Sequence, residues 1–296
     1  MSELKNQITQ NKIIQIYIDG TLIHRDEAKV SVFDSVFLMG DGIWEGLRLS
    51  NGEWMFLEEH LDRLFEGAAA IDLDIGLNRS ELIDAIEITR KANKMHDMAH
   101  ARLMVTRGVK TMPFQQPSLS AFGSTVVIIM EHSESNKRSL GITLATVPQV
   151  RGLPMSQDPK LNSHSKLNCI LACIQAEKAG ADEALMLDPL GFVNTTNSCN
   201  FFIVKNGEVW TSSGDYCMNG ITRKKVIQLC LDNNIPVFEK NFSLVDVYSS
   251  QEAFITGTLG SLTSVNVIDG RSIGKSGNFP LTKRLNSLYE DLITNE

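Results

Sequence analysis

Short alternating apolar runs occur in both halves of this 296-residue chain, and no other feature of the sequence constrains its fold more strongly. A run over 14–18 precedes Asp19-Gly20, and runs over 200–204 and 208–211 flank Asn206-Gly207. Both patterns are typical of strands joined by tight hairpin turns. Helical stretches lie between the runs without a regular strand–helix–strand repeat. The sequence therefore predicts an α+β fold rather than a doubly wound parallel sheet.

The apolar periodicity also predicts the other elements. Further strands are predicted over 29–33, 101–106, 124–130, 142–147, 183–187, 253–256 and 264–268. Helices are predicted from Leu57, from Ser80, and over 167–179, 222–233 and 281–293. Gly180 directly follows one of these helices and is predicted to end it.

Length and one polar segment predict two domains. Typical domains have ~100–200 residues, so this length favours two of them. Residues 132–138 contain no apolar side chain and form the best candidate for a linker. The predicted division is a smaller N-terminal α/β domain over 1–131 and a larger C-terminal domain over 139–296.

Composition excludes several classes of protein. A net charge of −7 without a basic run argues against a nucleic-acid binder or a protein of acidic membranes. A mean hydropathy of −0.07 argues against a transmembrane protein. The five cysteines form no CxxC pair, which indicates reduced thiols in a cytoplasmic protein. No HExxH, GxGxxG or P-loop motif occurs, so neither a metal site nor a dinucleotide site is predicted.

Two polar segments in the first half could take part in chemistry. The run Gly40–Arg48 holds three glycines with Trp44 and Arg48. Taken alone, it favours a tight inter-strand turn, with an aromatic and cationic ligand wall as the alternative. Arg63 lies at the border of an apolar helix face, where an arginine usually extends its charge to solvent. The functional alternative is a forked donor to a phosphate or a carboxylate.

Two polar segments in the second half point to an anion and to a reactive amine. Gly220-Ile-Thr222 begins a predicted helix, whose free N–H groups suit a phosphate, although an ordinary cap is the alternative. The small residues over 257–261 could hold an anion as well. Residues 158–168 carry Lys160 and Lys166 just before another helix. A partly desolvated lysine there could attack a carbonyl carbon, although most lysines are simply surface residues.

Read in chain order, six segments resemble the class IV (fold-type IV) pyridoxal-phosphate enzymes. That superfamily includes branched-chain amino acid aminotransferases, D-amino acid aminotransferases and aminodeoxychorismate lyases. The segments are VSVFDSVFLMGDGIWEGLR, EEHLDRLF, ARLMVTRG, GADEALMLDPLGFV, NGITR and ITGT. The resemblance implies a two-domain, D-amino acid aminotransferase-like fold. It also implies that the larger C-terminal domain carries the Schiff-base lysine and the phosphate site.

The resemblance implies pyridoxal 5'-phosphate as the cofactor and assigns residues to it. The positions implied to bind the cofactor are Arg63, Thr195, Asn200, Ile221, Thr222 and Thr258. The positions implied to face the substrate are Trp44, Arg48, His100 and Arg102. Met112 and Phe114 fall where D-amino-acid-type relatives bind a carboxylate. Neither side chain can do so, which argues against that mode of substrate capture.

Two further positions depart from the family pattern. Lys160 is the preferred Schiff-base lysine because it requires only a short insertion after it. Lys166 is the alternative, and it would require the loss of about one helical turn of ~3.6 residues. Thr195 stands where relatives usually carry a glutamate that pairs with the pyridine nitrogen of the cofactor. A hydroxyl does not keep that nitrogen protonated, so the cofactor should be a weaker electron sink.

The resemblance implies a PLP-dependent aminotransferase that moves an amino group from an amino acid or amine to a 2-oxo acid. A lyase of the aminodeoxychorismate lyase type is the alternative, and a PLP-binding protein without turnover is a third possibility. The implied partners are these small molecules and a second copy of the chain in a homodimer. Neither nucleic acid nor membrane is expected as a partner.

Overall fold

The computed structural model describes residues 10–133, 141–274 and 278–294. These residues form two units. The first contains 10–133 together with Asn162–Ser165, and the second contains 141–161, 166–274 and 278–294. None of the helices in these ranges is long and apolar enough to cross a membrane.

The first unit is built on an antiparallel sheet of six strands in the order β2-β1-β6-β5-β3-β4. The strands are β1 (Gln15–Ile18), β2 (Thr21–His24), β3 (Gly42–Ser50), β4 (Glu53–Trp54), β5 (Ala99–Thr106) and β6 (Thr125–His132). Its helices are α1 (Ser35–Met39), α2 (Leu57–Ala70) and α3 (Arg79–Ala92). A short 3-10 turn spans Pro117–Leu119.

Local signals explain the ends of two of these helices. Asn78 and Glu81 form a capping box at the start of α3, so the side chain of each satisfies a backbone N–H of the other. Gly40 ends α1 with φ at 69°, a conformation that costs glycine little. Helix α2 packs on β3, and α3 packs on β1 and β6. One face of the sheet is therefore covered by helices.

The second unit contains a larger sheet of nine strands, six of which form a closed ring. The strands are β7 (Ile142–Thr146), β8 (Glu183–Leu187), β9 (Val193–Thr196), β10 (Asn200–Lys205), β11 (Glu208–Thr211), β12 (Val237–Glu239), β13 (Glu252–Gly257), β14 (Ser261–Ile268) and β15 (Arg271–Ser272). The ring runs β10-β13-β14-β7-β8-β9 and returns to β10. It closes where Asn200 pairs with Thr195. Apolar residues of the ring strands, such as Phe201 and Ile255, form the main buried core of this unit.

The second unit contains five helices in the described residues, and the three long ones pack against this sheet. The five helices are α4 (Pro154–Gln157), α5 (Leu167–Lys178), α6 (Ile221–Asp232), α7 (Leu244–Tyr248) and α8 (Pro280–Thr294). Helix α5 packs on β7 and β8, while α6 packs on β13, β12 and α8. Arg223 of α6 donates to the backbone oxygen of Ser212 at 2.7 Å and to Glu239 at 2.6 Å, which fixes the first turn of this helix.

Most of the predicted elements are present, but three predictions need correction. Residues 29–33 form no strand, because 29–31 are irregular and Val32-Phe33 lie in a turn. The segment Gly40–Arg48 is not simply a tight turn, because strand β3 begins at Gly42 and continues through Arg48. His132 is predicted to begin the linker, yet it is the last residue of β6. Residues 134–138 of the predicted linker lie outside the described residues.

Candidate functional site

The four residues predicted to face the substrate share one face of the first unit's sheet. Gly46 of β3 pairs with Arg102 of β5, and Arg48 pairs with His100. Trp44 lies two residues before Gly46, so its side chain points to the same face. The guanidinium carbon of Arg102 lies 4.0 Å from the centre of the Trp44 ring, a cation–π contact.

The loop Asn162–Ser165 fixes the position of Trp44. The indole N–H of Trp44 donates to the backbone oxygen of Ser163 at 3.2 Å. The backbone N–H of Trp44 donates to the backbone oxygen of Asn162 at 3.1 Å, and the Asn162 amide donates back to Trp44 at 2.6 Å. The aromatic ring is therefore held rigidly enough to orient the arginine stacked on it.

Burial changes the charge states on this face. Burial and the neighbouring charge of Arg102 lower the pKa of His100 from 6.5 to about 4. His100 is therefore neutral at pH 7 and can donate or accept a hydrogen bond. Burial also lowers the pKa of Arg102, but an arginine stays charged at any physiological pH. This face thus presents a fixed positive charge beside a neutral imidazole, an arrangement that suits a carboxylate ligand.

Arg63 does not extend to solvent as an isolated arginine would. Its Nε and Nη2 donate to the two carboxylate oxygens of Glu45 at 2.8 and 2.7 Å. His60 Nδ1 lies 2.7 Å from Glu45 Oε2, and both His60 and Glu45 are buried. Arg63 Nη1 is buried and has no hydrogen-bond partner among the described residues. The forked-donor interpretation of Arg63 is consistent with this geometry.

Sequence reasoning missed the role of Glu45. It lies inside the segment Gly40–Arg48, for which the sequence predicts a turn. A single glutamate in a predicted turn does not indicate a functional role. The strand period could have identified it, because Ile43, Glu45 and Leu47 alternate toward one face of a half-buried strand. A carboxylate among apolar residues on such a face needs a cationic partner.

In the second unit, two residues predicted to bind the cofactor and a third polar residue lie in one row across the sheet. Thr195 pairs with Asn200, and Asn200 pairs with Thr256. All three side chains are buried. The hydroxyl of Thr256 and the Asn194 oxygen next to Thr195 have no hydrogen-bond partner among the described residues. Buried polar atoms of this kind usually bond to a ligand or to water.

The N-terminus of α6 lies beside this row. Asn200 donates to the backbone oxygen of Met218 at 3.0 Å. Its Oδ1 occupies the space that a Cβ at Gly220 would need. The N-cap of α6 is Gly220, which has no side chain to accept from the first N–H groups of the helix, those of Ile221 and Thr222. Asn200, predicted to bind the cofactor, is therefore brought together with the predicted phosphate residues Ile221 and Thr222 at one helix end.

The remaining predicted positions differ in their exposure. Thr258 follows the end of β13 by one residue and is half-buried. Thr195 donates its own hydroxyl to the backbone oxygen of Thr196 at 2.8 Å. Met112 and Phe114 are 53% and 57% exposed.

The two candidate lysines differ in their surroundings. Lys160 is exposed, and its backbone N–H donates to Asp158 at 2.9 Å. Burial raises the pKa of the Cys217 thiol, and a hydrogen bond with Ser212 together with the charges of three cations, Lys160 among them, opposes that rise. Cys217 Sγ lies 3.8 Å from the Asn200 amide nitrogen. Lys166 is half-buried and is the residue that precedes α5.

Comparison with known proteins gives consistent results. A family model described as "Amino-transferase class IV" matches residues 42–268. The chain is 39% identical over 286 residues to branched-chain-amino-acid aminotransferase-like protein 2 of Arabidopsis thaliana, covering 96% of this chain. The alignment covers 51% of that relative, so the chain spans about half its length. It is also 38% identical to a putative branched-chain-amino-acid aminotransferase of Methanocaldococcus jannaschii, covering 95% of this chain and 97% of the relative.

A solved structure shows the same fold. The branched-chain aminotransferase of the thermophilic archaeon Thermoproteus uzoniensis, crystallised with norvaline, matches with a TM-score of 0.86 and 29% sequence identity. The match covers 95% of this chain and 94% of that chain. The α+β, fold-type IV prediction is therefore confirmed.

Proposed function

The chain belongs to the class IV aminotransferases, and we propose that it is a pyridoxal 5'-phosphate-dependent transaminase. It would transfer an amino group from an amino acid or amine to a 2-oxo acid. The observation that carries the proposal is the buried polar row Thr195–Asn200–Thr256 beside the start of α6, where the N-cap residue is a glycine. A helix start with a glycine cap and a threonine hydroxyl suits a phosphate.

The residues present fit this cofactor. Thr256 in the second unit and Arg63 in the first each carry a buried donor atom without a partner among the described residues. A phosphate or a ring substituent could accept a hydrogen bond from each of them. Ile221 and Thr222 would bind the phosphate through the first N–H groups of α6, and Thr258 would add a hydroxyl. When bound, pyridoxal phosphate supplies an electron sink for the bonds at the substrate α-carbon.

Lys160 is the proposed attachment point of the cofactor, with Lys166 as the alternative. The amine of that lysine would remove the proton from the substrate α-carbon and deliver a proton back during transfer. Trp44, Arg48, His100 and Arg102 would bind and orient the substrate. Because His100 is neutral at pH 7, the fixed charge of Arg102 would be the main attraction for a carboxylate.

We also propose that the protein is a cytoplasmic homodimer. All five cysteines lie in the described part of the chain and none forms a disulfide there, as expected in a reducing compartment. Helix α5 leaves Leu167, Ile170, Leu171 and Ile174 between 39% and 68% exposed. These residues form one apolar stripe, and a second copy of the chain would cover such a stripe. Light scattering of the purified protein tests the dimer, and a fully active monomer would contradict it.

One experiment tests the activity. The purified protein is mixed with pyridoxal phosphate, its visible absorbance is recorded, and a panel of amino donors is added with and without a 2-oxo acid. We expect a cofactor band that donors bleach and that the 2-oxo acid restores. Release of pyruvate without any acceptor would indicate the lyase instead. A cofactor band that no donor changes would indicate a PLP-binding protein without turnover.

A further inference from the structure

Glu45 is a fully buried carboxylate on the helix-covered face of the first unit's sheet, with 0% of its surface exposed. Two nitrogens of Arg63 and one nitrogen of His60 bond to its two oxygens, at 2.7 and 2.8 Å. An ionised carboxylate accepts and does not donate, so His60 donates its Nδ1 proton. The side chain of Glu45 is therefore held from two sides.

Other arginines of the same unit show why this arrangement is unusual. Arg107 uses Nε and Nη2 to bind Asp41, and its Nη1 donates to a backbone oxygen at 2.8 Å. Arg90 uses Nε and Nη2 to bind Glu87, and its Nη1 donates to a backbone oxygen at 3.4 Å. Arg63 binds its carboxylate in the same side-on manner, but its buried Nη1 has no partner among the described residues.

An unpaired buried guanidinium nitrogen costs free energy, because its N–H groups lose their bonds to water. In the two comparison pairs this cost is avoided by a nearby carbonyl. At Arg63 the fold supplies no such group within the described residues. A ligand oxygen at that position would remove the cost.

We propose that Glu45 is a positioning residue that clamps Arg63 so that Nη1 is presented to the cofactor phosphate, with His60 fixing the clamp. This inference rests on the proposed function, because it takes the phosphate of pyridoxal phosphate as the ligand of Arg63. Glu45 itself does not touch the cofactor. Its effect is to remove the rotamer freedom that Arg63 would otherwise lose on binding.

The charge of Glu45 is maintained by the same contacts. Burial alone would raise the pKa of Glu45, but the hydrogen bonds from Arg63 and His60 hold it below its ordinary value. Glu45 is therefore ionised at neutral pH and can accept both N–H groups of the fork. A glutamine at this position has only one acceptor oxygen, and its amide N–H groups would face the guanidinium.

The test compares pyridoxal phosphate with pyridoxal, which keeps the aldehyde but lacks the phosphate. Both are titrated into the wild type, Glu45→Gln and Arg63→Lys. The ratio of the dissociation constant of pyridoxal to that of pyridoxal phosphate measures the contribution of the phosphate. We expect Glu45→Gln to weaken pyridoxal phosphate binding roughly 10- to 100-fold, the range of a charge-assisted hydrogen bond, with pyridoxal binding unchanged. Arg63→Lys should lower the ratio similarly.

The matched control is Glu87→Gln, which breaks the equivalent side-on pair with Arg90 away from the site. It should lower thermal stability without changing the ratio. If Glu45→Gln does not fold, Glu45→Asp replaces it. The shorter side chain keeps its charge, but the Arg63 guanidinium must move toward it to keep both hydrogen bonds. The same fall in the ratio is expected for Glu45→Asp.

Two results would separate the inference from the proposed function. If Arg63→Lys lowers the ratio and the folded Glu45 variant does not, Glu45 does not position Arg63. The assignment of pyridoxal phosphate as the cofactor then still holds. If the wild type binds pyridoxal phosphate no more tightly than pyridoxal, the proposed function itself is wrong.

Discussion

The two units differ in the charge of the groups that are proposed to bind ligands. The first unit uses full charges: Arg102 stacks on Trp44, and Arg63 is clamped by Glu45. The second unit uses neutral groups, namely the row Thr195–Asn200–Thr256 and the first N–H groups of α6, which begins at a glycine cap.

The difference follows from the cost of burial. A buried charge needs a partner, so a carboxylate holds Arg63 and an aromatic ring holds Arg102. A neutral hydroxyl or a helix end needs no countercharge, so the second unit can leave its donors open. The charged region should therefore respond to pH, while the neutral region should respond to the loss of single hydroxyl groups.

The largest expected effect comes from the lysine of the second unit. Lys160→Ala should remove the cofactor band and lower the transamination rate by about 10²- to 10⁴-fold, because the proton-transfer group is lost. Lys166→Ala should keep the band. Borohydride reduction of the wild type followed by peptide mapping checks the assignment directly. A cofactor adduct on Lys166 would show that Lys160 is the wrong residue.

The next effect concerns the pH response of the first unit. The pKa of His100 is about 4 in the folded protein against 6.5 as the reference, so the unfolded chain binds its proton more readily. Stability should therefore fall as pH drops from 6.5 toward 4, by at most about 3 kcal/mol from this residue. His100→Gln should lose less stability over this range, as measured by urea unfolding at pH 7 and pH 4.5. An identical pH dependence in both proteins would contradict the prediction.

A smaller effect is expected from one hydroxyl in the second unit. Thr222→Ala should weaken pyridoxal phosphate binding by roughly 2- to 12-fold, because one hydrogen bond is worth ~0.5–1.5 kcal/mol. Thr282→Ala is the matched control: its hydroxyl, in the first turn of α8, donates to Glu252 at 2.7 Å. The control should lower the melting temperature and leave cofactor affinity unchanged. Equal cofactor affinity in Thr222→Ala and the wild type would argue against a phosphate at α6.

The smallest and most specific change is at Thr195. Thr195→Glu should keep cofactor binding and shift the cofactor absorbance, because a carboxylate near the ring nitrogen can raise its pKa by ~1–3 units. The rate could change in either direction, so the spectrum is the measurement that decides. An unchanged spectrum would indicate that residue 195 does not face the ring. A cofactor-bound structure of the wild type with a carboxylate ~2.6–3.2 Å from the ring nitrogen would show that this nitrogen has a charged partner, which contradicts the prediction.

Local sequence signals predicted much of the fold. Asp19-Gly20 and Asn206-Gly207 form the expected turns, since all four residues adopt positive φ. The apolar faces of α2, α3 and α8 follow directly from residues three and four apart. The order of the six motifs identifies the family from the sequence alone, because each motif is a short contiguous segment.

Long-range pairing decided what the sequence did not. Residues 29–33 have a strand pattern but form no strand, whereas the glycine-rich run from Gly42 is a strand because β5 pairs along most of its length. Glu45 gained its role only when α2 placed His60 and Arg63 beside it, and Thr195 met Asn200 only where the ring of strands closes. Turns and helices depend on neighbours in the chain, so the sequence alone can determine them. Strand partners and buried charges depend on residues far apart in the chain, and only the folded structure brings those together.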